Sequence, residues 1–184
     1  MKLSLSAQIQ QNSRTIFRRV AAYFIDVTLL MLVVQGFQWG LLALTGGFPF
    51  ETMAALNNGW IIYGWVLLTV SLPIWAYFVL SEHSRWQATL GKRLLGLKVS
   101  SATGEKAGWG QLLGRTVLKL LPWEIFHLTF MLPVPLLSDP APAFRPGFVV
   151  GFVVLLLYLL VLWQTPRQQS IHDLIAETVV AERP

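Results

Sequence analysis

The sequence contains no cysteine and little charge. Without cysteine the chain forms no disulfide bond and has no thiolate for catalysis or metal binding. Charged residues make up 12% of its 184 residues, whereas an ordinary soluble domain has about 25%. Hydrophobic residues make up 54%, including 8 Trp and 11 Phe. This composition predicts an integral membrane protein.

The patterns of the common catalytic and nucleotide sites are also missing. The sequence has no G-x-S-x-G, H-E-x-x-H, C-x-x-C or P-loop pattern. His83, His127 and His172 lie far apart and lack the spacing of metal ligands; His172 is expected to be exposed or at the membrane interface. The formal net charge is +5, and the basic residues cluster beside apolar runs rather than forming a patch that would bind nucleic acid. We therefore expect no enzyme activity, cofactor, metal or nucleic-acid partner, and a lipid bilayer as the surroundings.

Long apolar runs predict an all-α polytopic membrane protein with four transmembrane helices. A helix crosses the bilayer core with about 20 apolar residues, and residues 20–44, 60–80 and 147–163 provide such runs. The segment of residues 112–137 is harder to assign, because Arg115, Lys119 and Pro122 interrupt it. It either lies on the surface as an amphipathic helix or turns inward at Pro122 and crosses as residues 120–137.

The basic residues predict how these helices are oriented. They precede the first run at Lys2, Arg14, Arg18 and Arg19 and recur in the connection of residues 81–119, whereas the other two connections carry little positive charge. Basic loops stay in the cytoplasm, so both termini and this connection are expected there. An even number of crossings must then follow the connection, which favours four spans with both termini in the cytoplasm. The alternative has three spans, with residues 112–132 on the surface and the carboxyl end outside.

Short elements are predicted between and after the spans, within a single transmembrane domain of residues 1–184. Leu95, Leu97 and Val99 alternate with smaller or polar residues, as in a β-strand. The turn-forming stretch "ATGEK" follows, so a small cytoplasmic β-hairpin is expected. Ser170 and Asp173 have the spacing of a capping box, which predicts a short C-terminal helix.

Asp26 is the one charged residue inside the first apolar run. It lies six residues into the run, roughly 9 Å along a helix, and so lies near the membrane surface rather than at its centre. Arg19 precedes it by seven residues on the same helix face, but their Cα atoms should be about 10.5 Å apart. Each is therefore expected to meet a third group, and the candidate partners of Asp26 are Lys92, Arg93 and Arg115. Asp26 either binds and releases a proton or cation, or it forms an ion pair that fixes helix packing.

A second ionisable pair, Glu124 and His127, lies within the run of residues 120–137. The two residues are about one helical turn apart, so their side chains can touch. An E-x-x-H pair is half of a di-iron carboxylate site, but the sequence offers no second pair, so we expect no metal here. The pair is expected to accept a proton or to hold helices together.

Glycine pairs in two of the spans predict close helix contact. Gly36 with Gly40, and Gly147 with Gly151, are each four residues apart on one helix face. Four helices are few for a transport pathway, so a homodimer through a glycine face or a larger membrane complex is expected.

Three stretches together resemble the RDD family of bacterial membrane proteins. They are "FRRVAAYFID" in the first span, "TLGKRLLGLKV" after the second and "QSIHDLIAETVV" near the end. The family is named for an arginine and two aspartates, which correspond by motif position to Arg19, Asp26 and Asp173. The resemblance runs from about Arg18 through most of the chain. Glu177 departs from it, because the family commonly has glycine before the threonine.

The resemblance implies a role in transport, including sodium/proton antiport for some members, and an accessory role in membrane complexes for others. We therefore expect a small transporter or transporter subunit for a cation, proton or small solute. Asp26 would respond to the ion, and Arg19 and Asp173 would organise a cytoplasmic cluster. The alternative is a non-transporting scaffold or accessory subunit, in which the same three residues form a structural triad.

Overall fold

The computed structural model describes residues 5–49, 51–52, 55 and 57–183, with the side chains of the first helix described from residue 14 onward. Lys2 of the basic amino-terminal flank lies outside these residues. The helices are α1 (Leu5–Thr45), α2 (Gly59–His83, with a π-helical turn at Leu67–Ser71), α3 (Leu90–Leu94), α4 (Trp109–Met131), α5 (Pro146–Gln164) and α6 (Ile171–Ile175). The strands are β1 (Leu97–Ser101) and β2 (Thr178–Glu182), and a 3-10 turn covers Leu136–Ser138.

Four helical segments of the described chain are long and apolar enough to cross a membrane. They are Arg14–Thr45, Gly59–His83, Trp109–Ser138 and Pro146–Gln164. The third segment contains α4 and extends through the 3-10 turn that follows it. Much of their apolar surface faces outward; for example, the exposed fractions of Val33 and Leu156 are 70% and 64%. Such a surface would be unfavourable in water, whereas lipid solvates it. The predicted class, a helical membrane protein with a two-stranded sheet and a short C-terminal helix, is confirmed.

The segment that was hardest to assign forms one continuous helix, α4, which begins at Trp109 and ends at Met131 with Pro122 in its interior. The chain therefore does not turn at Pro122, and the helix starts earlier and ends earlier than the predicted residues 120–137. A proline inside a helix leaves the carbonyl four residues before it without a donor. Here that carbonyl belongs to Leu118, and it accepts the Tyr158 hydroxyl at 2.6 Å. The Tyr158 hydroxyl thus pairs the carbonyl that the proline leaves without a backbone donor.

The two strands form an antiparallel sheet in which Leu97 is opposite Glu182 and Ser101 is opposite Thr178. A sheet was predicted, but as a local hairpin, and its second strand instead comes from the carboxyl-terminal segment. The turn after β1 does form, with the Ser101 N–H donating to the Glu105 carbonyl at 2.9 Å. Only a few residues remain between that turn and the start of α4 at Trp109. That is too short for a returning strand.

The chain comprises two compact units, and each long helix contributes residues to both. The first unit contains Met1–Thr28, Ala76–Lys119 and Leu156–Pro184, and the second contains Leu29–Trp75 and Leu120–Leu155. The first unit holds the sheet, α3 and α6. Its apolar core comprises Ala22, Val79, Leu97, Val99, Ala107, Leu112 and Val180.

Candidate functional site

Asp26 lies in the first unit with no exposed surface. Its Oδ1 accepts the Tyr77 hydroxyl at 2.7 Å and the Gly91 N–H at 2.8 Å, and its Oδ2 accepts the Thr89 hydroxyl at 2.5 Å. Thr89 is the N-cap of α3, and the Tyr77 hydroxyl in turn accepts the Leu90 N–H at 3.0 Å. Asp26 therefore fastens the first turn of α3 to α1 through neutral donors.

Gly91 is required for this close approach. A Cβ atom built on Gly91 would overlap the Ala22 carbonyl oxygen of α1 and would lie 3.1 Å from the Asp26 carboxyl carbon. Any larger residue would push α3 away from α1 and break the hydrogen bond from residue 91 to Asp26. The "GKR" stretch therefore needs glycine at this position because glycine has no side chain to block the approach of α3 to α1.

Asp173 is held by two buried arginines. Its carboxylate pairs with Arg19 and with Arg115, and it also accepts the Ser170 N–H at 3.0 Å. The last contact belongs to the predicted capping box, which is confirmed. Arg19 also donates to the Gln168 carbonyl oxygen. Arg19 and Asp173, which are far apart in the sequence, thus meet directly.

Glu82, at the end of α2, is a central residue that the sequence analysis missed. Its carboxylate accepts Lys92 at 2.8 Å, Arg115 at 3.1 Å and Lys119 at 3.5 Å, and only 1% of its surface is exposed. The available signal was a single carboxylate placed directly after an apolar run, in the most basic connection of the chain. We use the name "buried ion-pair network" for the six residues that these contacts join, which are Arg19, Glu82, Lys92, Arg115, Lys119 and Asp173.

The three basic residues expected near Asp26 have other partners. Lys92 and Arg115 bind Glu82, and Arg93 is exposed with its guanidinium carbon 4.0 Å from the centroid of the Trp86 ring. The expectation that one of them pairs with Asp26 is wrong, because Tyr77, Thr89 and the Gly91 N–H already occupy that carboxylate. Burial lowers the pKa of Lys92 from 10.5, and Glu82 opposes this shift.

His172 is buried rather than exposed, which corrects the sequence-based expectation. Its Nε2 lies 3.7 Å from Asp173 Oδ2, and its ring meets the edge of Tyr158 at 5.4 Å between centroids. Burial, and after it the positive charges of Arg115, Lys119 and Arg19, hold the pKa of His172 well below 6.5. His172 is therefore neutral at neutral pH.

The second unit contains a separate polar group. Glu124 Oε2 lies 3.7 Å from His127 Nδ1, so the two side chains touch as predicted. The Tyr63 hydroxyl donates to Glu124 at 3.2 Å, and Ser71 Oγ lies 3.5 Å from His127 Nδ1. Ser71 ends the π-helical turn of α2, and such turns occur often at functional sites. This group combines a carboxylate, an imidazole and two hydroxyls within an apolar segment.

The glycine pairs differ in their surroundings. Cβ atoms built on Gly147 and Gly151 would overlap Thr129 and Phe126 of α4, so this pair provides the predicted close helix contact. Cβ atoms on Gly36 and Gly40 would meet no described atom within 4 Å. Dimerisation through either face stays a prediction.

The four apolar helices and their buried ionic residues define a multi-pass integral membrane protein. The sequence profile of the RDD family matches residues 14–177, and the chain belongs to that family. It is also 41% identical over 56 residues to the "Uncharacterized protein YxaI" of Bacillus subtilis (strain 168). That match spans 30% of this chain and 37% of YxaI. No solved structure gives a significant match.

Proposed function

We propose that this protein is a non-transporting scaffold or accessory subunit of a membrane protein complex. The observation that carries the proposal is that every member of the buried ion-pair network contacts a side chain of opposite charge. Glu82 and Asp173 each meet at least two cationic side chains, and Asp26 meets three neutral donors. A carboxylate that carries ions must exchange such partners for its ligand in every transport cycle. Removing one partner of a buried pair costs about 3–5 kcal/mol, which opposes that exchange.

The network is suited to fixing one arrangement of helix ends. Arg115 of α4 contacts Glu82 of α2 and Asp173 of α6, and Asp173 also binds Arg19 of α1. Buried ionic groups often favour a unique packing more than they add stability. A uniquely packed end is what another membrane protein, or a second copy of this chain, needs in order to dock reproducibly.

Two measurements on the full chain test the scaffold. In proteoliposomes, imposed sodium or pH gradients should drive no flux above that of protein-free liposomes. After cross-linking in native membranes, the protein should migrate as an assembly larger than its mass of 20.7 kDa. The assembly should be lost in Asp173→Asn and retained in Arg167→Gln, whose arginine is exposed and outside the network. Gradient-driven flux that falls in a folded Asp26→Asn variant would reject the proposal.

Transport of a proton or a monovalent cation is the second candidate, and the Glu124 and His127 group of the second unit favours it. The His127 side chain is 27% exposed and that of Glu124 is 11% exposed, so this pair is more accessible than Asp26. Ionisable residues within membrane segments often mark proton or ion pathways. Proton flux should then fall in Glu124→Gln but persist in Asp26→Asn. Equal flux in wild type and Glu124→Gln would remove this pair from any transport mechanism.

We further propose that the protein resides in the bacterial inner membrane with both termini in the cytoplasm, which the basic residues of the central connection support. The natural absence of cysteine makes single-cysteine labelling clean. In intact cells, a membrane-impermeant maleimide should label Ala141→Cys but not Thr103→Cys. Both positions are exposed. The reverse pattern would invert the orientation.

A further inference from the structure

Trp86 lies just beyond the end of α2 and is surrounded by arginines. The guanidinium carbons of Arg93 and Arg85 lie 4.0 Å and 5.1 Å from the centroid of its ring, and Arg183 donates to its backbone carbonyl. Arg85 and Arg93 are exposed. Neither forms an ion pair with a carboxylate in the described part of the chain. Two guanidinium groups without a carboxylate partner in the described residues therefore contact the same Trp86 ring.

A cavity of about 350 Å³ opens beside Arg93 and Trp86, and Arg85 contacts the same Trp86 ring. Arg93 and Trp86 lie at its wall, and Leu80, Ala88 and Leu90 supply much of its apolar lining. The apolar span that leads to it ends at His83, which places Trp86 at the depth where tryptophan meets lipid headgroups. The cavity therefore combines an apolar interior with a cationic edge at the membrane surface.

We propose that this cavity binds an anionic phospholipid. The phosphate would lie on Arg85 and Arg93, because a guanidinium donates two parallel hydrogen bonds to phosphate oxygens. One acyl chain would pack against Leu80, Ala88 and Leu90. Basic pockets beside transmembrane helices select anionic headgroups in this way. A free phosphate would use the arginines alone and leave the apolar lining unfilled.

The bound lipid would also contact the residues that hold Asp26. Tyr77 and Thr89 line the cavity, and both donate their hydroxyl groups to the Asp26 carboxylate. A lipid packed against them should therefore stabilise the attachment of α3 to α1. This coupling follows from the cavity geometry and does not depend on the scaffold proposal.

Thermal unfolding of the full chain in a neutral detergent tests the proposal with three probes. They are phosphatidylglycerol, phosphatidylcholine with the same acyl chains, and inorganic phosphate. Phosphatidylglycerol should raise the melting temperature by about 5 °C, and the other two should not. The double variant Arg85→Gln with Arg93→Gln should weaken the apparent affinity for phosphatidylglycerol on the order of tenfold or more. The charge-matched control, Arg14→Gln with Arg167→Gln, removes two exposed arginines elsewhere and should leave the affinity unchanged.

Three outcomes would overturn the proposal. An equal rise in melting temperature with inorganic phosphate would show that the site binds a soluble anion rather than a lipid. An equal rise with phosphatidylcholine would show that binding does not require a negatively charged headgroup, and unchanged affinity in the double variant would show that the lipid binds elsewhere. Should the double variant fail to fold, a phosphatidylglycerol with a photoreactive acyl chain decides the matter in the wild-type protein. Cross-links within residues 77–93, which contain the whole lining of the cavity, support the site, and cross-links confined to other segments reject it.

Discussion

The Tyr158 hydroxyl donates a 2.6 Å hydrogen bond to the Leu118 carbonyl oxygen, the group that Pro122 leaves without a helical donor. Tyr158→Phe should therefore lower the free energy of unfolding by about 1–3 kcal/mol, since it leaves a carbonyl unpaired. Pro122→Ala restores the backbone N–H, so the same tyrosine change should cost less in that background. Denaturation of the two single variants, the double variant and wild type in detergent measures this difference. Equal costs in both backgrounds would contradict the assignment.

Replacing Gly91 by alanine should be strongly unfavourable. The added Cβ overlaps the Ala22 carbonyl oxygen, and overpacking of this kind costs about 1–3 kcal/mol. Gly114 of α4 is the matched control, because a Cβ there meets nothing within 4 Å. Gly114→Ala should be neutral or stabilising by up to about 1 kcal/mol. Thermal unfolding of both variants checks the contrast, and similar effects in the two would show that Gly91 is not sterically required.

The geometry predicts which pairs of network substitutions are coupled. Arg19 and Asp173 form a direct ion pair, whereas Asp26 is held by Tyr77, Thr89 and Gly91. Asp173→Asn alone should cost about 3–5 kcal/mol, because it leaves buried arginines without a full counter-charge. Arg19→Gln with Asp173→Asn should be much less than additive, and Arg19→Gln with Asp26→Asn should be closer to additive. Strong coupling of Arg19 to Asp26 instead would contradict the separate sets of partners that the structure gives these two residues.

Acid should destabilise the protein through His172. Its pKa is lowered well below 6.5 in the folded chain, so below that pH the unfolded chain takes up a proton that the folded chain does not. The free energy of unfolding should then fall on acidification by up to about 1.4 kcal/mol per pH unit, until the lowered pKa is reached. His172→Gln should lack this component. The difference between wild type and the variant should therefore shrink from pH 7 to pH 5, and parallel curves would contradict the burial argument.

Glu177 occupies a backbone conformation that favours glycine, with φ of 51°. The Ala102 N–H and the Gln111 side chain both donate to its carbonyl oxygen, which fixes this conformation. Glu177→Gly should stabilise the protein by up to about 1 kcal/mol by removing the Cβ clash. Glu177→Ala keeps the Cβ and serves as the control, so it should give no such gain. Equal effects of the two changes would attribute any gain to the lost carboxylate.

The bilayer made part of this structure predictable from the sequence. Spans follow from apolar length, and the contact of Glu124 with His127 and the capping box at Ser170 follow from helical spacing within a few residues. Partnerships between distant segments were not predictable. The alternation in β1 indicates a strand but does not show that β2 is its partner. The spacing of Arg19 and Asp26 likewise could not show that Arg19 pairs with Asp173, or that Lys92 and Arg115 pair with Glu82.

The late position of α6 and β2 in the chain has a consequence for biosynthesis. Asp173 follows all four long helices, so Arg19 and Arg115 emerge from the ribosome well before their shared carboxylate. Until Asp173 is synthesised, Arg19 lacks its carboxylate partner and Arg115 has only Glu82, so their positive charge can help to direct orientation. Once α6 is synthesised, Asp173 takes both guanidiniums and β2 closes on β1. The same arginines can thus serve first as topology signals for the nascent chain and afterwards as ion-pair partners of Asp173 in the folded protein.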